Sequence, residues 1–158
     1  MRKSILVTGL ILTVALAACG GDVTVDGVPD IEVLDARIGQ PTGPNAALYF
    51  TAENRSDGAD VLEGATTDVA VSAELHETVT RDDGTMGMQA LDAPLEVVGG
   101  GSLVLEPGGI HLMLVDVDRL EVGDTVVVTL TWQIAGEMEI EAEVVDPADT
   151  MEHDGHDG

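Results

Sequence analysis

Cysteine occurs once in this 158-residue chain, at Cys19, so no internal disulfide can form and the core alone must hold the fold. Aromatic side chains are almost missing. Tyr49, Phe50 and Trp132 are the full set, which leaves valine, leucine, isoleucine and alanine to fill an interior. Basic residues are also scarce, six against 30 acidic ones, and the only lysine is Lys3. A formal net charge of −24 argues against nucleic acid and anionic lipid headgroups as partners, because both would be repelled. The simplest account of so much negative charge is a soluble, self-repelling surface.

Long hydrophobic runs are confined to the N-terminus. Arg2 and Lys3 precede an apolar stretch from Ile5 to Ala18, too short and wrongly flanked for a stable membrane-spanning helix. A charged start, an apolar segment and small residues describe a secretory signal, residues 1–18. Leu16-Ala17-Ala18-Cys19 resembles the processing motif of bacterial lipoproteins at all four positions, with Cys19 as the lipid acceptor. The mature protein would then sit outside the cytoplasm, on the periplasmic side or the cell surface, held to a bacterial membrane by acyl chains. Losing Arg2 and Lys3 would carry its net charge from −24 to −26. The glycine-containing stretch 19–30 reads as a flexible tether.

Residues 31–146 alternate regularly and suit one domain with one core. Strand-like segments cover Ile31 to Ile38, Ala46 to Glu53, Val69 to Val79, Met86 to Leu91, Ser102 to Leu105, Ile110 to Val117, Thr125 to Trp132 and Glu137 to Val145. Turn-forming clusters separate them, among them Asp82-Asp83-Gly84, Gly99-Gly100-Gly101 and Pro107-Gly108-Gly109. Many short strands and no amphipathic helix predict an all-β protein, an antiparallel Greek-key β-sandwich. After Pro147 the pattern stops, and residues 147–158 read as a disordered acidic tail.

The chemistry-bearing residues are soft metal ligands set into strands: His76, then Met86 and Met88, then His111-Leu112-Met113. Successive strand side chains point to opposite faces, so His111 and Met113 share one face and Met86 and Met88 share another. A hairpin at Asp82-Asp83-Gly84 would bring His76 back toward Met88, and Pro107-Gly108-Gly109 would deliver His111. Four ligands from three neighbouring segments could thus meet at one end of the sandwich. Thioether sulfur suits Cu(I) and offers little to zinc, calcium or magnesium. Taken singly, a methionine in a strand is usually a core filler, and a histidine is more often a hydrogen-bonded core or surface residue than a ligand. The conjunction of a His-x-Met pair, a Met-x-Met pair and a further histidine favours a metal.

Glu74-Leu75-His76-Glu77, Met86 to Met88, and Leu105-Glu106-Pro107-Gly108-Gly109-Ile110-His111-Leu112-Met113-Leu114 resemble the hallmark of the PCu(A)C family of periplasmic copper chaperones. Ala47 to Asn54 and the Thr125 to Val145 region resemble it too, so the likeness covers the whole domain. The family pattern is a histidine, a methionine after ten residues and a His-x-Met after twenty-one more. Here eleven residues separate His76 from Met88, and twenty-two separate Met88 from His111. Met88 matches the pattern better than Met86. The resemblance implies a cupredoxin-like sandwich binding one Cu(I) through His76, Met88, His111 and Met113. It also implies delivery toward the dinuclear copper centre of cytochrome c oxidase, on subunit II or through another copper chaperone, or else copper buffering.

Without a cysteine thiolate in the domain, a blue-copper electron carrier is excluded. No nucleophile elbow, HExxH or catalytic thiol supports an enzyme. Two alternatives stay open: a zinc or other divalent-ion lipoprotein in which the methionines merely pack, and a metal-free interaction lipoprotein. The tail adds Met151, His153 and His156, either a solvated acidic end or an auxiliary arm for Cu(II).

Overall fold

Alternation between apolar and polar residues sets the strands. The computed structural model describes residues 28–151. Ten strands follow in order: β1 (Ile31–Gly39), β2 (Ala46–Asn54), β3 (Asp60–Thr66), β4 (Ala70–Thr80), β5 (Met86–Ala90), β6 (Leu95–Val97), β7 (Ser102–Leu105), β8 (Ile110–Val117), β9 (Thr125–Trp132) and β10 (Gly136–Val145). In β2, Ala46, Leu48, Phe50 and Ala52 are buried while the residues between them are partly exposed. In β9 the buried set is Val126, Val128, Leu130 and Trp132. The all-β expectation holds, but the sequence reading missed two strands, β3 and β6.

The strands form one continuous hydrogen-bonded path, β5-β4-β8-β2-β1-β10-β9-β3-β6, with β7 paired to β2 beyond β8. The two halves of this path share a single apolar cluster, in which Leu48, Phe50, Leu75, Leu112 and Leu114 meet Leu62, Val126, Val128, Leu130 and Trp132. Each fully buried large side chain of that cluster contributes roughly 1.5–3 kcal/mol relative to exposure. One pair departs from the antiparallel expectation: β1 runs parallel to β10 through Arg37↔Glu143, Ile38↔Val144 and Gly39↔Val145. These strands lie at opposite ends of the domain in sequence, so no hairpin dictates their direction.

A bulge interrupts β1 between Leu34 and Arg37, where Asp35 adopts φ 54°. The extra residue re-aims the strand. Arg37 thereby becomes the cross-strand partner of Tyr49.

Order does not end at Pro147 as the composition predicts. Asp149–Met151 form a 3-10 turn, and Thr150 is buried. The Arg37 Nη2 donates to the Thr150 carbonyl at 3.1 Å, and the Thr150 hydroxyl donates to the Pro147 carbonyl at 2.7 Å. These contacts hold the start of the tail against β1, where composition alone shows only polar, turn-forming residues.

Candidate metal centre

Three adjacent strands, β5-β4-β8, carry the predicted ligands. The β4–β5 hairpin closes at Asp82-Asp83-Gly84, where Gly84 takes φ 80° and its N–H donates to the Arg81 carbonyl at 2.8 Å. Asp83 accepts the Thr85 hydroxyl at 2.6 Å and the Thr85 N–H at 2.9 Å. Those two bonds, the hydroxyl's first, hold the Asp83 carboxyl below its ordinary pKa. At the other junction Gly108 takes φ 79°, and the Gly109 N–H bonds the Glu106 carbonyl at 3.1 Å, turning the chain into β8.

Register brings the residues to one face. His76 pairs with His111 across β4–β8, and Glu74 pairs with Met113. Across β4–β5, Thr78 pairs with Met88, Thr80 with Met86 and His76 with Ala90. Directly paired residues and those two apart share a face. His76, His111, Met113, Met88 and Met86 therefore project together. Met88 sits one register step from the histidine row and Met86 two. A step of two strand residues is about 7 Å, so Met88 is the nearer thioether.

The face lies on the side of the sheet away from the core. Leu75 and Leu112, which alternate with the ligands, belong to the apolar cluster, whereas Met113 is buried but outside it. Exposure grades sharply across the group. His111 is 1% exposed and Met113 9%, while Met88 is 54% and Met86 63% exposed.

Each imidazole is held through one ring nitrogen. His111 Nδ1 lies 3.3 Å from the Gly109 carbonyl, which can only accept, so Nδ1 carries the proton and Nε2 a lone pair. His76 Nε2 lies 3.2 Å from the Glu74 carboxylate, which can only accept, so in the neutral ring Nε2 carries the proton and Nδ1 the lone pair. Both remaining nitrogens, His76 Nδ1 and His111 Nε2, are buried and have no hydrogen-bond partner among the described residues. A buried polar atom left unpaired is unfavourable, and two on neighbouring rings leave both nitrogens free to take an ion. The ring centroids are 6.0 Å apart. One ion bonded at about 2 Å to a nitrogen of each ring can span that gap.

Burial pushes the His111 pKa below its ordinary value; the Gly109 hydrogen bond partly opposes this and the neighbouring His76 adds to it. The ring is thus kept neutral, the form that ligates.

Two positioning residues escaped the sequence reading. Glu74, two residues before His76 in a strand, was legible as a same-face neighbour. Tyr49 was not, because its place depends on how β2 packs beside β8. Its ring stands 6.2 Å from that of His111, with Arg37 6.0 Å from its centroid on the other side. Burial raises the Tyr49 pKa, and Arg37 partly opposes this. Among the described residues, no group of three or more His, Cys, Asp or Glu side chains is placed to hold a metal. Cys19, His153, His156 and the side chain of Met151 lie outside the described residues.

The comparisons with known proteins agree on a family and a fold. A family model for LpqE-like lipoproteins matches residues 30–144. Lxx21020 of Leifsonia xyli subsp. xyli, named as a lipoprotein, is 38% identical over 85 residues. That match covers 53% of this chain and 51% of the relative, about half its length. Among solved structures, the copper-bound PCuAC domain from PmoF2 superposes with a TM-score of 0.63 at 26% identity, covering 77% of this chain and 97% of that one. The apo PCuAC domain from PmoF1 gives 0.63 at 28% identity, covering 74% and 94%. The Cu(I) form of DR1885 from Deinococcus radiodurans gives 0.55 at 31% identity, covering 82% and 84%.

Proposed function

The chain belongs to the LpqE-like lipoprotein family, and from that premise we propose that it is an extracytoplasmic copper carrier. It holds one Cu(I) through His76 Nδ1, His111 Nε2 and the thioethers of Met113 and Met88. The observation that carries this reading is the pair of buried, unpartnered imidazole nitrogens on adjacent rings, beside a buried methionine that packs outside the core. The relatives that bind copper share its fold.

The donor set explains the choice of ion. Thioethers bind Cu(I) without losing a proton, and neutral imidazoles add affinity. Glu74 and the Gly109 carbonyl fix the tautomers, as outer partners of metal-bound histidines generally do. His111 and Met113 form the buried half of the site, and Met88 closes it from the exposed hairpin. An acceptor can displace Met88 first and take the ion by stepwise ligand exchange, without free release. Copper is cargo here, and no catalytic step is assigned.

The acceptor is a copper-receiving protein: the dinuclear centre on cytochrome c oxidase subunit II, or another copper chaperone. Buffering of copper would use the same site. Cys19 carries the acyl anchor that keeps the carrier at a membrane. Met151, His153 and His156 form an auxiliary arm able to take Cu(II), removed by deleting residues 147–158.

A zinc site would need the histidines completed by further nitrogen, oxygen or thiolate donors, and the described residues bring no such group together. X-ray absorption at the copper edge tests the donor set. Two nitrogen and two sulfur scatterers are expected for the Cu(I) form, with one sulfur lost in Met88→Leu. A sulfur-free spectrum would sink the assignment.

A further inference from the structure

Strand β5 ends the hydrogen-bonded path, so one of its edges has no partner among the described residues. The ladder fixes which groups that edge presents. Leu91 donates to the Leu75 carbonyl and Arg81 to the Thr85 carbonyl, both at 2.8 Å. The hydrogen-bonded pairs of β4 and β5 therefore include Glu77↔Gln89 and Val79↔Gly87, and the alternate residues Met86, Met88 and Ala90 turn their backbone groups outward. Arg81 covers the first of these, donating from Nη1 to the Met86 carbonyl at 3.2 Å. It can lie there because position 87 is glycine: a Cβ would stand 2.3 Å from the guanidinium. The N–H and C=O of Met88 and Ala90 have no partner among the described residues.

Exposed edges are normally blunted by charge, proline, a bulge or brevity. The opposite edge follows that rule, since β6 is three residues long, follows Pro94 and carries Glu96. β5 does not. Met86-Gly87-Met88-Gln89-Ala90 has no charge and no proline in a chain that is 23% charged. An unprotected edge is a ready template for strand addition. Its surroundings name the occupant. Four acids, Glu77, Asp82, Asp83 and Asp92, lie on or beside the hairpin against one cation, Arg81, and the net charge of −24 opposes a second copy of this chain.

We propose that β5 is the docking strand for the copper acceptor, which adds an extended, lysine- or arginine-bearing segment along Met88 and Ala90. This rests on the copper-carrier reading and extends it. Pairing at Met88 would place the acceptor's own ligands beside the most exposed member of the nearest four, so that docking and ligand exchange occur at the same residue.

The test uses the soluble chain from Gly20 onward, isotope-labelled, with a blocked peptide of alternating valine and lysine as probe. Amide exchange at Met88 and Ala90 is expected to slow about tenfold with the peptide. A valine–glutamate peptide should give no protection. Ala90→Pro removes an outward N–H without touching the β4 ladder, a placement that edge strands tolerate. It should abolish the protection and leave Cu(I) binding unchanged. Protection elsewhere, equal protection by the glutamate peptide, or protection that survives Ala90→Pro overturns the proposal. Concentration-dependent protection without peptide would make a second copy the occupant and overturn the choice of partner. Cu(I) titration of the same samples separates the two readings. Edge pairing without copper uptake overturns the link to metal transfer, whereas copper uptake without edge pairing overturns only the docking strand.

Discussion

His76 and His111 face each other across β4 and β8 with ring centroids 6.0 Å apart, and each ring leaves one nitrogen buried without a partner among the described residues. Each ring's other nitrogen is engaged, by Glu74 in one case and the Gly109 carbonyl in the other. Both rings are therefore held in place by the protein alone, as the proposed carrier site requires. Met113 places a buried sulfur on the same face, and the hairpin presents the exposed sulfur of Met88 there.

Glu74→Ala should weaken Cu(I) binding about tenfold, within the 10–100-fold range typical of outer partners to metal-bound histidines. The carboxylate touches His76 but is assigned no bond to copper. Competition against a Cu(I) chelator reads the affinity, and urea unfolding shows whether the fold is intact. An unchanged affinity would remove Glu74 from the account.

Acidification should destabilise the metal-free protein in a defined window. The folded His111 pKa lies below the ordinary value of 6.5, so the unfolded chain takes up its proton first as pH falls. Stability from the buried neutral ring is complete above pH 6.5 and declines below it until the folded pKa is reached. Urea midpoints between pH 7.5 and 5 should fall less steeply in His111→Gln than in the natural chain. Equal slopes would contradict the assignment of that titration to His111.

Asp60→Ala should cost about 1.5–3 kcal/mol, the net worth of hydrogen bonds to a charged group, because water can replace the carboxylate only in part at the exposed Ile134–Ala135 turn. Asp60 is 1% exposed; its Oδ1 accepts the Val61 and Ile134 N–H groups at 2.8 and 2.9 Å, and its Oδ2 accepts Ala135 at 2.9 Å. It ties the start of β3 to the β9–β10 turn. Urea denaturation monitored through Trp132 measures the loss.

Cys19→Ser should release the protein from the membrane fraction into the soluble extracytoplasmic fraction. Detergent phase partitioning reads this directly. Continued membrane association would place the anchor elsewhere.

The same Asp60 shows where the sequence became hard to read. β3 runs Asp-Val-Leu-Glu-Gly-Ala-Thr, with two acids and a glycine, and its register with β9 shifts between Leu62 and Gly64. A bulge breaks the period-2 signal on which strand assignment rests. β6 is three residues long, too short for any periodicity. By contrast, the strands bearing the site were legible because His-x-Met and Met-x-Met each mark a single face. Local pattern could not supply register. That Met88 lies one step from the histidine row and Met86 two, that Tyr49 stands beside His111, and that Arg37 fastens Thr150 all follow from pairings between distant segments.

The most direct test of the copper account is an anaerobic Cu(I) competition titration of the chain from Gly20 onward, beside its Met113→Leu variant. Leucine keeps the volume and apolar character of that site, so the fold should lose less than about 1.5 kcal/mol. The account predicts one tightly bound equivalent in the natural chain and its loss in the variant. Equal tight binding by both proteins, or none above an unrelated acidic protein, would contradict it.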